Sequence, residues 1–396
     1  MKEGWKIQTL GDVATFINGD RSTNYPSKKD YVIDGIPFVN AGNLIQSGLD
    51  LESLNLISQS KYDSLTQGKF VEGDILFCLR GTLGKHSIVQ NGLNGAIASS
   101  LVIIRTKDGF NNKYISYFLD YKQPFIERLN NGAAQPNIPA KTMKGFPILL
   151  PPNEKQQQSI VEYLDSAFAQ IDELKSNAER QLAEARALFQ SALTQAMQPK
   201  PGWQEKTLGE IATDMYRGSG IRRDQITKEG IPCVRYGEIY TTYNISFEDC
   251  VSHTLESSIA SPKYFEHGDL LFAITGESVE DIGKTIAYMG KEKCLLGGDI
   301  ICMKHNQNPK FLSYALSTTD AIKQKGFGKT KLKVVHTNAP SLKAIRIPLP
   351  PLSEQQGIVE QLDSISTNIS SLEEINQKIK PECDALKQAL LRQIFE

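Results

Sequence analysis

Matching loops in the two halves of this 396-residue chain collect side chains suited to reading hydrogen-bonding patterns. The first loop carries Arg21, Ser22 and Asn24 in one half, and Arg217, Ser219, Arg222 and Arg223 in the other. A second carries Asn40 and Asn43 against Arg235, Tyr236 and Glu238. A third carries Arg80, Thr82 and Lys85 against Thr275, Glu277 and Lys284. The fourth carries Gln135, Asn137 and Lys141 against Lys325, Lys329 and Lys331, the latter in a Gly-spaced run of lysines around Phe327. Arg, Asn, Gln and Glu match the donor and acceptor sets on base edges in a DNA major groove, while Lys, Ser and Thr suit phosphate oxygens. Loops at equal places with unequal content are what two domains reading different sequences require. For any single residue a solvated turn explains its type equally well. The lysine run makes the stronger case, because spaced cations with one aromatic suit a flexible phosphate clamp.

Other chemistry is missing. No GxGxxG follows a strand, and there is no GxxxxGK[ST], HExxH or GxSxG, so nucleotide cradles, zinc proteases and serine hydrolases are excluded. The Pro151-Pro152 and Pro350-Pro351 pairs lack the preceding Asn or Asp and the following aromatic residue of amino-methyltransferases. The five histidines have no ligand spacing, and the six cysteines form no CxxC pair, which suits a reduced chain without a metal site. The start, MKEGWKIQTL, has no apolar signal core, and no apolar run approaches the roughly 20 residues of a membrane span. A cytoplasmic location is the expectation. Net charge is −1, but it is unevenly spread: 16 basic against 13 acidic residues over 1–153 and 20 against 17 over 199–352, with 4 against 7 and 4 against 8 in the intervening and final stretches. A mild positive excess on the first and third stretches is compatible with phosphate contact.

The elements that must carry these loops are written twice. Trp5 with Leu10-Gly11-Asp12 returns as Trp203 with Leu208-Gly209-Glu210, an offset of 198 residues. Gly35-Ile36-Pro37 returns as Gly230-Ile231-Pro232, and Gly73-Asp74-Ile75-Leu76-Phe77 as Gly268-Asp269-Leu270-Leu271-Phe272. Short apolar runs bounded by Gly, Asn and Asp predict strands at 36–40, 74–79, 86–90 and 99–105, and again at 231–235, 269–274, 285–289 and 299–303. Short helices are expected at 112–120 and 309–317. Two long stretches then show heptad spacing. In the first the seam is Ile160, Leu164, Ala167, Ile171, Leu174, Ala178, Gln181, Ala185, Leu188, Ala192 and Gln195. In the second it is Ile358, Leu362, Ile365, Ile369, Leu372, Asn376, Ile379, Cys383, Leu386, Leu390 and Gln393. A 3.5-residue repeat lets two helices bury one continuous stripe against each other, and roughly 45 residues of helix span about 65 Å. Asn376 is a polar seam residue of the register-fixing kind, and Pro381 is expected to kink or break its helix. The order predicts an α+β chain with a tandem repeat: a mainly-β domain at 1–153, a helix at 154–198, a second mainly-β domain at 199–352 and a helix at 353–396, the helices pairing antiparallel with pseudo-twofold symmetry.

Together the Trp-x-x-x-x-Leu-Gly-Asp/Glu starts, the Gly-Ile-Pro segments, the Gly-Asp strands and the Leu-Pro-Pro, Gln-Gln and Ile-Val-Glu-x-Leu-Asp helix entries resemble the specificity subunit of type I restriction-modification systems. The resemblance covers essentially the whole chain. Lys155-Gln156 departs from it where the second helix entry has Glu354-Gln355. It implies two target recognition domains that each read half of a bipartite DNA site, with no catalytic site in this chain. It implies helices that set the spacer and dock two modification subunits, which bring S-adenosylmethionine and methylate adenine; this chain would bind no cofactor of its own. It also allows for restriction subunits as further partners. A coiled-coil scaffold that joins partners without reading DNA is the competing reading.

Overall fold

The computed structural model describes residues 3–45, 48–90, 92–129, 137–276, 278, 281–327 and 335–396. Four of the loop residues named above, Gln135, Glu277, Lys329 and Lys331, lie outside the described residues. The chain divides into two compact units, Met1–Ala178 with Gln377–Glu396, and Glu179–Asn376.

In the first unit an antiparallel sheet runs in the order His86–Ile88, Ile75–Cys78, Leu101–Thr106, Ala14–Asn18. The strand Ile75–Cys78 reads as an unbroken apolar run because both of its faces are covered. Ile75 and Phe77 pack with Tyr114, Ile115 and Phe118 of the helix Asn112–Arg128, whereas Leu76 and Cys78 pack with Val39, Leu44, Phe70 and Ile97. Of these, Val39, Phe70 and Ile97 belong to a second sheet ordered Tyr31–Val32, Asn55–Ile57, Ile36–Val39, Gly95–Ile97, Lys69–Phe70. The second unit repeats the plan. Leu270 and Phe272 face a cluster with Phe311, Leu312 and Ala315, while Leu271 and Ala273 face Val234, Phe265 and Leu296.

The repeated motifs have local physical reasons. Gly73 and Gly268 sit at φ +85° and +88°, a left-handed turn that side chains resist. The next residue closes that turn: Asp74 accepts the Val71 N–H at 2.8 Å, and Asp269 that of Glu266 at 2.8 Å. Both carboxylates are buried and each is paired with a cation from the neighbouring strand, Arg105 at 2.7 Å and Lys304 at 3.0 Å. In the Leu-Gly-Asp/Glu starts, Thr9 with Asp12 and Thr207 with Glu210 form capping boxes, and Leu10 and Leu208 are fully buried.

The long helices run Glu154–Ala196 and Leu352–Phe395. Each enters through glutamine. Gln157 Oε1 accepts the Asn111 N–H at 2.8 Å in one unit, and Gln355 Oε1 that of Asn308 at 2.9 Å in the other. The equivalent of Gln355 is therefore Gln157, not Gln156, and the departure read at that helix entry is an offset of one residue. Eight residues further along, Asp165 accepts from Tyr117 and Lys113, as Asp363 does from Tyr314 and Lys310.

Within each unit the helix segments pair antiparallel. In the first, Cys383 meets Ile171, and Lys387 lies 2.6 Å from Asp172 and over the Phe168 ring, while Leu391 joins a cluster with Leu164. In the second, Arg186 lies 2.6 Å from Glu373, and Leu193 clusters with Ile358 and Leu362. The expected α+β class with paired antiparallel helices is what the structure has, but half of the first seam is shifted by one residue. Leu174 and Leu188 are 55% and 69% exposed, and the buried or half-buried stripe runs through Val161, Leu164, Phe168, Ile171, Ala178, Leu182, Ala185 and Phe189. Ile160 is half-buried against the domain core. In the second helix Ile358, Leu362, Ile365, Ile369, Leu372 and Ile379 lie on the covered side, whereas Leu386 is half exposed and Lys387 and Leu391 replace it. Asn376 lies within the seam, its Nδ2 buried with no partner among the described residues. The expected break at Pro381 does not occur. The helix runs through it, and the carbonyl left without a partner belongs to Gln377, which is exposed to solvent.

Candidate nucleic-acid interface

In the second unit the strand Ile231–Val234 delivers Arg235 to the start of the short helix Tyr236–Thr241. The Arg235 N–H donates to Glu238 Oε2 at 3.0 Å, and Arg235 Nε and Nη2 reach Glu238 Oε1 at 2.9 and 2.8 Å. Ser252 Oγ donates to that same oxygen at 2.6 Å. Glu238 is only 6% exposed. It is therefore a support for Arg235 and not, as its residue type suggests, a surface group. Next to it the strand Ala212–Arg217 ends in Arg217, whose Nε donates to Gly298 O at 2.5 Å and whose Nη2 pairs with Asp299 at 2.7 Å. Ser219 donates its hydroxyl to Ser261 O. Arg223, Arg235, Tyr236 and Asp299, with Gly220, Gly237, Gly297 and Gly298, line a cleft of about 470 Å³. Arg223 is exposed, as is Arg222 next to it in the chain.

The first unit builds the same frame with other side chains. The Asn40 N–H donates to Asn43 Oδ1 at 2.9 Å, and Asn40 Oδ1 accepts the Gly42 N–H at 2.8 Å. Asn43 is 2% exposed and its amide donates to Ser53 O and Oγ, both at 3.0 Å, so it holds the turn and does not face solvent. Arg21 is exposed, with Nη2 3.4 Å from Ser99 O. Its loop is anchored by buried Asp20, which accepts from the Ser22 N–H at 2.7 Å and from the N–H and hydroxyl of Thr66. The Ser22 side chain foremost, and these bonds after it, hold the Asp20 carboxyl far below the usual carboxylate range. Asn24 donates to Ser64 O at 2.9 Å.

The third and fourth loops divide. Arg80 Nε donates to Asn137 Oδ1 at 3.3 Å, and the two residues form an isolated antiparallel bridge, so the structure brings these loops together. Arg80, Thr82, Asn137 and Lys141 are all exposed. Thr275 bonds the His336 ring at 3.1 Å across the paired strands Thr275–Gly276 and Val335–His336. Lys85 and Lys284 turn inward: Lys85 Nζ donates to Ala41 O at 3.3 Å and Lys284 Nζ to Tyr243 O at 2.9 Å. Each ties the third loop to the turn of the second, and burial lowers the affinity of Lys284 for its proton. Lys325 is the largest correction. It is 4% exposed, its ammonium donates to Leu316 O at 2.7 Å and Thr285 Oγ1 at 3.0 Å, and burial brings its pKa down to about 7. Its place is the core, outside any surface clamp. Ser252 and Asp299, the groups that help to position Arg235 and Arg217, are not marked by the sequence, since Ser252 lies 14 residues from Glu238 and Asp299 lies 82 from Arg217.

Among the described residues no cluster of His, Cys, Asp and Glu is placed to hold a metal ion, and no helix is long and apolar enough to cross a membrane.

Comparison with known proteins adds a family. Residues 2–184 and 200–381 each match the model of the type I restriction modification DNA specificity domain. The chain is 22% identical over 98% of its length to the type I restriction enzyme MjaVIII specificity subunit of Methanocaldococcus jannaschii, covering 91% of that protein. It is likewise 22% identical, over its full length and 89% of the relative, to the EcoKI specificity subunit of Escherichia coli. A solved structure described as the basis of complex assembly and conformational transition of the type I R-M system aligns with 100% of this chain and 98% of its own, at TM-score 0.77 and 20% identity. The HsdS subunit from Thermoanaerobacter tengcongensis aligns at TM-score 0.60 and 19% identity, over 100% of this chain and 97% of its own. At these identities the solved structures share the fold.

Proposed function

This chain belongs to the family of type I restriction-modification DNA specificity subunits, and from that premise we propose that it is the non-catalytic reader of a bipartite DNA site. Each unit carries one reading head. The observation that supports this most is that one backbone frame recurs in both heads with different side chains on it. An asparagine capped by Asn43 stands where the other head has an arginine held by Glu238. A fold that keeps the frame and changes the reader is what discrimination between two half-sites requires.

In this reading the exposed Arg21, Arg80, Arg217, Arg222, Arg223, Asn137 and Lys141 contact bases or phosphates, while Asn43, Lys85, Glu238 and Lys284 position the loops that carry them. The long helices set the unspecified spacer and dock two modification subunits, which bring S-adenosylmethionine and methylate an adenine that must first leave the base stack. This chain binds no cofactor itself, works in the cytoplasm, and admits restriction subunits to the same assembly. The competing reading, a scaffold that uses its helices alone, predicts binding without base preference.

Titrating salt against the assembled complex separates the two. Base reading with phosphate contact gives a sequence-selective complex whose affinity falls with a log–log slope of about −0.9 per neutralised phosphate. Binding that is equal for all duplexes would favour the scaffold.

A further inference from the structure

Three of the arginines that line or adjoin the glycine-walled cleft of the second unit differ in how firmly they are held. Arg223 is exposed. Arg217 pairs with Asp299, but the two side chains are 62% and 40% exposed. Arg235 is 32% exposed and its carboxylate partner only 8%. That carboxylate cannot swing away, because it also takes the Arg235 backbone N–H and the Ser252 hydroxyl.

The geometry of the pair matters as much as its firmness. Glu238 binds through Nε and Nη2, which occupies one edge of the guanidinium. Nη1 and the second Nη2 proton remain on the other edge as two parallel donors. In the major groove only guanine offers two adjacent acceptors, O6 and N7; adenine places a donor beside its N7, cytosine a donor, and thymine a single acceptor beside a methyl group. Access is open on two sides, since a Cβ at Gly220 or Gly237 would meet nothing within 4 Å. The opposite wall stays closed: a Cβ at Gly297 would lie 2.6 Å from Val234 O, and one at Gly298 2.9 Å from Gly220 Cα.

We propose that Arg235 reads one guanine in the half-site of the second unit, with Glu238 as its positioning residue. This rests on the DNA-specificity reading above and adds the base to it. The first unit has no counterpart, because Asn40 stands at that place with its Oδ1 occupied by the Gly42 N–H. The guanine requirement set by this position therefore falls on one half-site only.

The test uses the full chain assembled with its modification subunits and a set of duplexes varied one base pair at a time. Initial methylation rates give the preference at each position. The wild type prefers guanine at one position of the half-site read by the second unit. Arg235→Gln lowers that preference on the order of tenfold to a hundredfold and leaves every other position unchanged. Arg235→Lys keeps the charge without the planar fork and loses an intermediate share. Glu238→Gln, with the arginine still present, relaxes the same position. A uniform loss across all duplexes in Arg235→Gln, with Arg235→Lys restoring it, would make Arg235 a phosphate contact and overturn the assignment. So would unchanged selectivity in both variants. A wild type with no preference in either half-site would overturn the DNA-specificity reading itself, a result distinct from either of these.

Discussion

Lys325 shows how far one residue's surroundings can override its type. Its segment, Lys323-Gln324-Lys325-Gly326-Phe327-Gly328-Lys329, reads as a solvated cationic run. The helix Thr319–Gly326 nonetheless turns this one lysine toward Thr285, 40 residues earlier in the chain. Nothing within the run distinguishes it from its neighbours, and only the packing of that helix decides. The consequence is measurable. The folded pKa is about 7 against an ordinary 10.5, so between those values the unfolded chain binds the extra proton and stability rises with pH. The slope from this group is about 1.4 kcal/mol per pH unit. Urea denaturation at pH 7 and pH 9 should show that gain in the wild type and lose it in Lys325→Met. Equal slopes in the two proteins would mean that the ammonium is not buried. Glu238 and Asn43 are further cases in which a polar type suggested a surface contact and the tertiary partner, Ser252 or Ser53, made it a support.

At the scale of elements the chain was more legible, because the repeated motifs act locally. Gly73 and Gly268 mark left-handed turns, Thr9 and Thr207 mark helix caps, and the apolar runs at Ile75–Cys78 and Leu270–Ala273 mark strands covered on both faces. The long helices were legible in existence and pairing, but half of the first seam was not. Several turns offer two adjacent apolar residues, such as Ala167 and Phe168 or Leu188 and Phe189, and a heptad count accepts either. Contacts with the globular part of each unit choose: Phe168 stacks edge-on to Tyr117, and Phe189 lies 6.1 Å from the Tyr314 ring. Replacement by alanine tests the choice. Phe189→Ala should cost about 2–3 kcal/mol, below the range of about 3–5 kcal/mol for a fully buried ring because this one is half-buried, and Leu188→Ala within about 0.5 kcal/mol of nothing. The reverse order in denaturation experiments would place Leu188, not Phe189, in the seam.

For the whole molecule, the proposed function has two heads that read independently, each through its own copy of one frame. Replacing Arg222 and Arg223 together with alanine should therefore weaken discrimination in one half-site and leave the other intact, as read from methylation of duplexes mutated in either half. Equal damage to both halves would show that the heads are not independent. The most direct test of bipartite reading is to express the full chain with its modification subunits and map methylated adenines across a genome by single-molecule sequencing. A bipartite motif of two specified halves with a constant gap is the expected result. Methylation without a motif, or a single continuous motif, from a demonstrably assembled complex would contradict it.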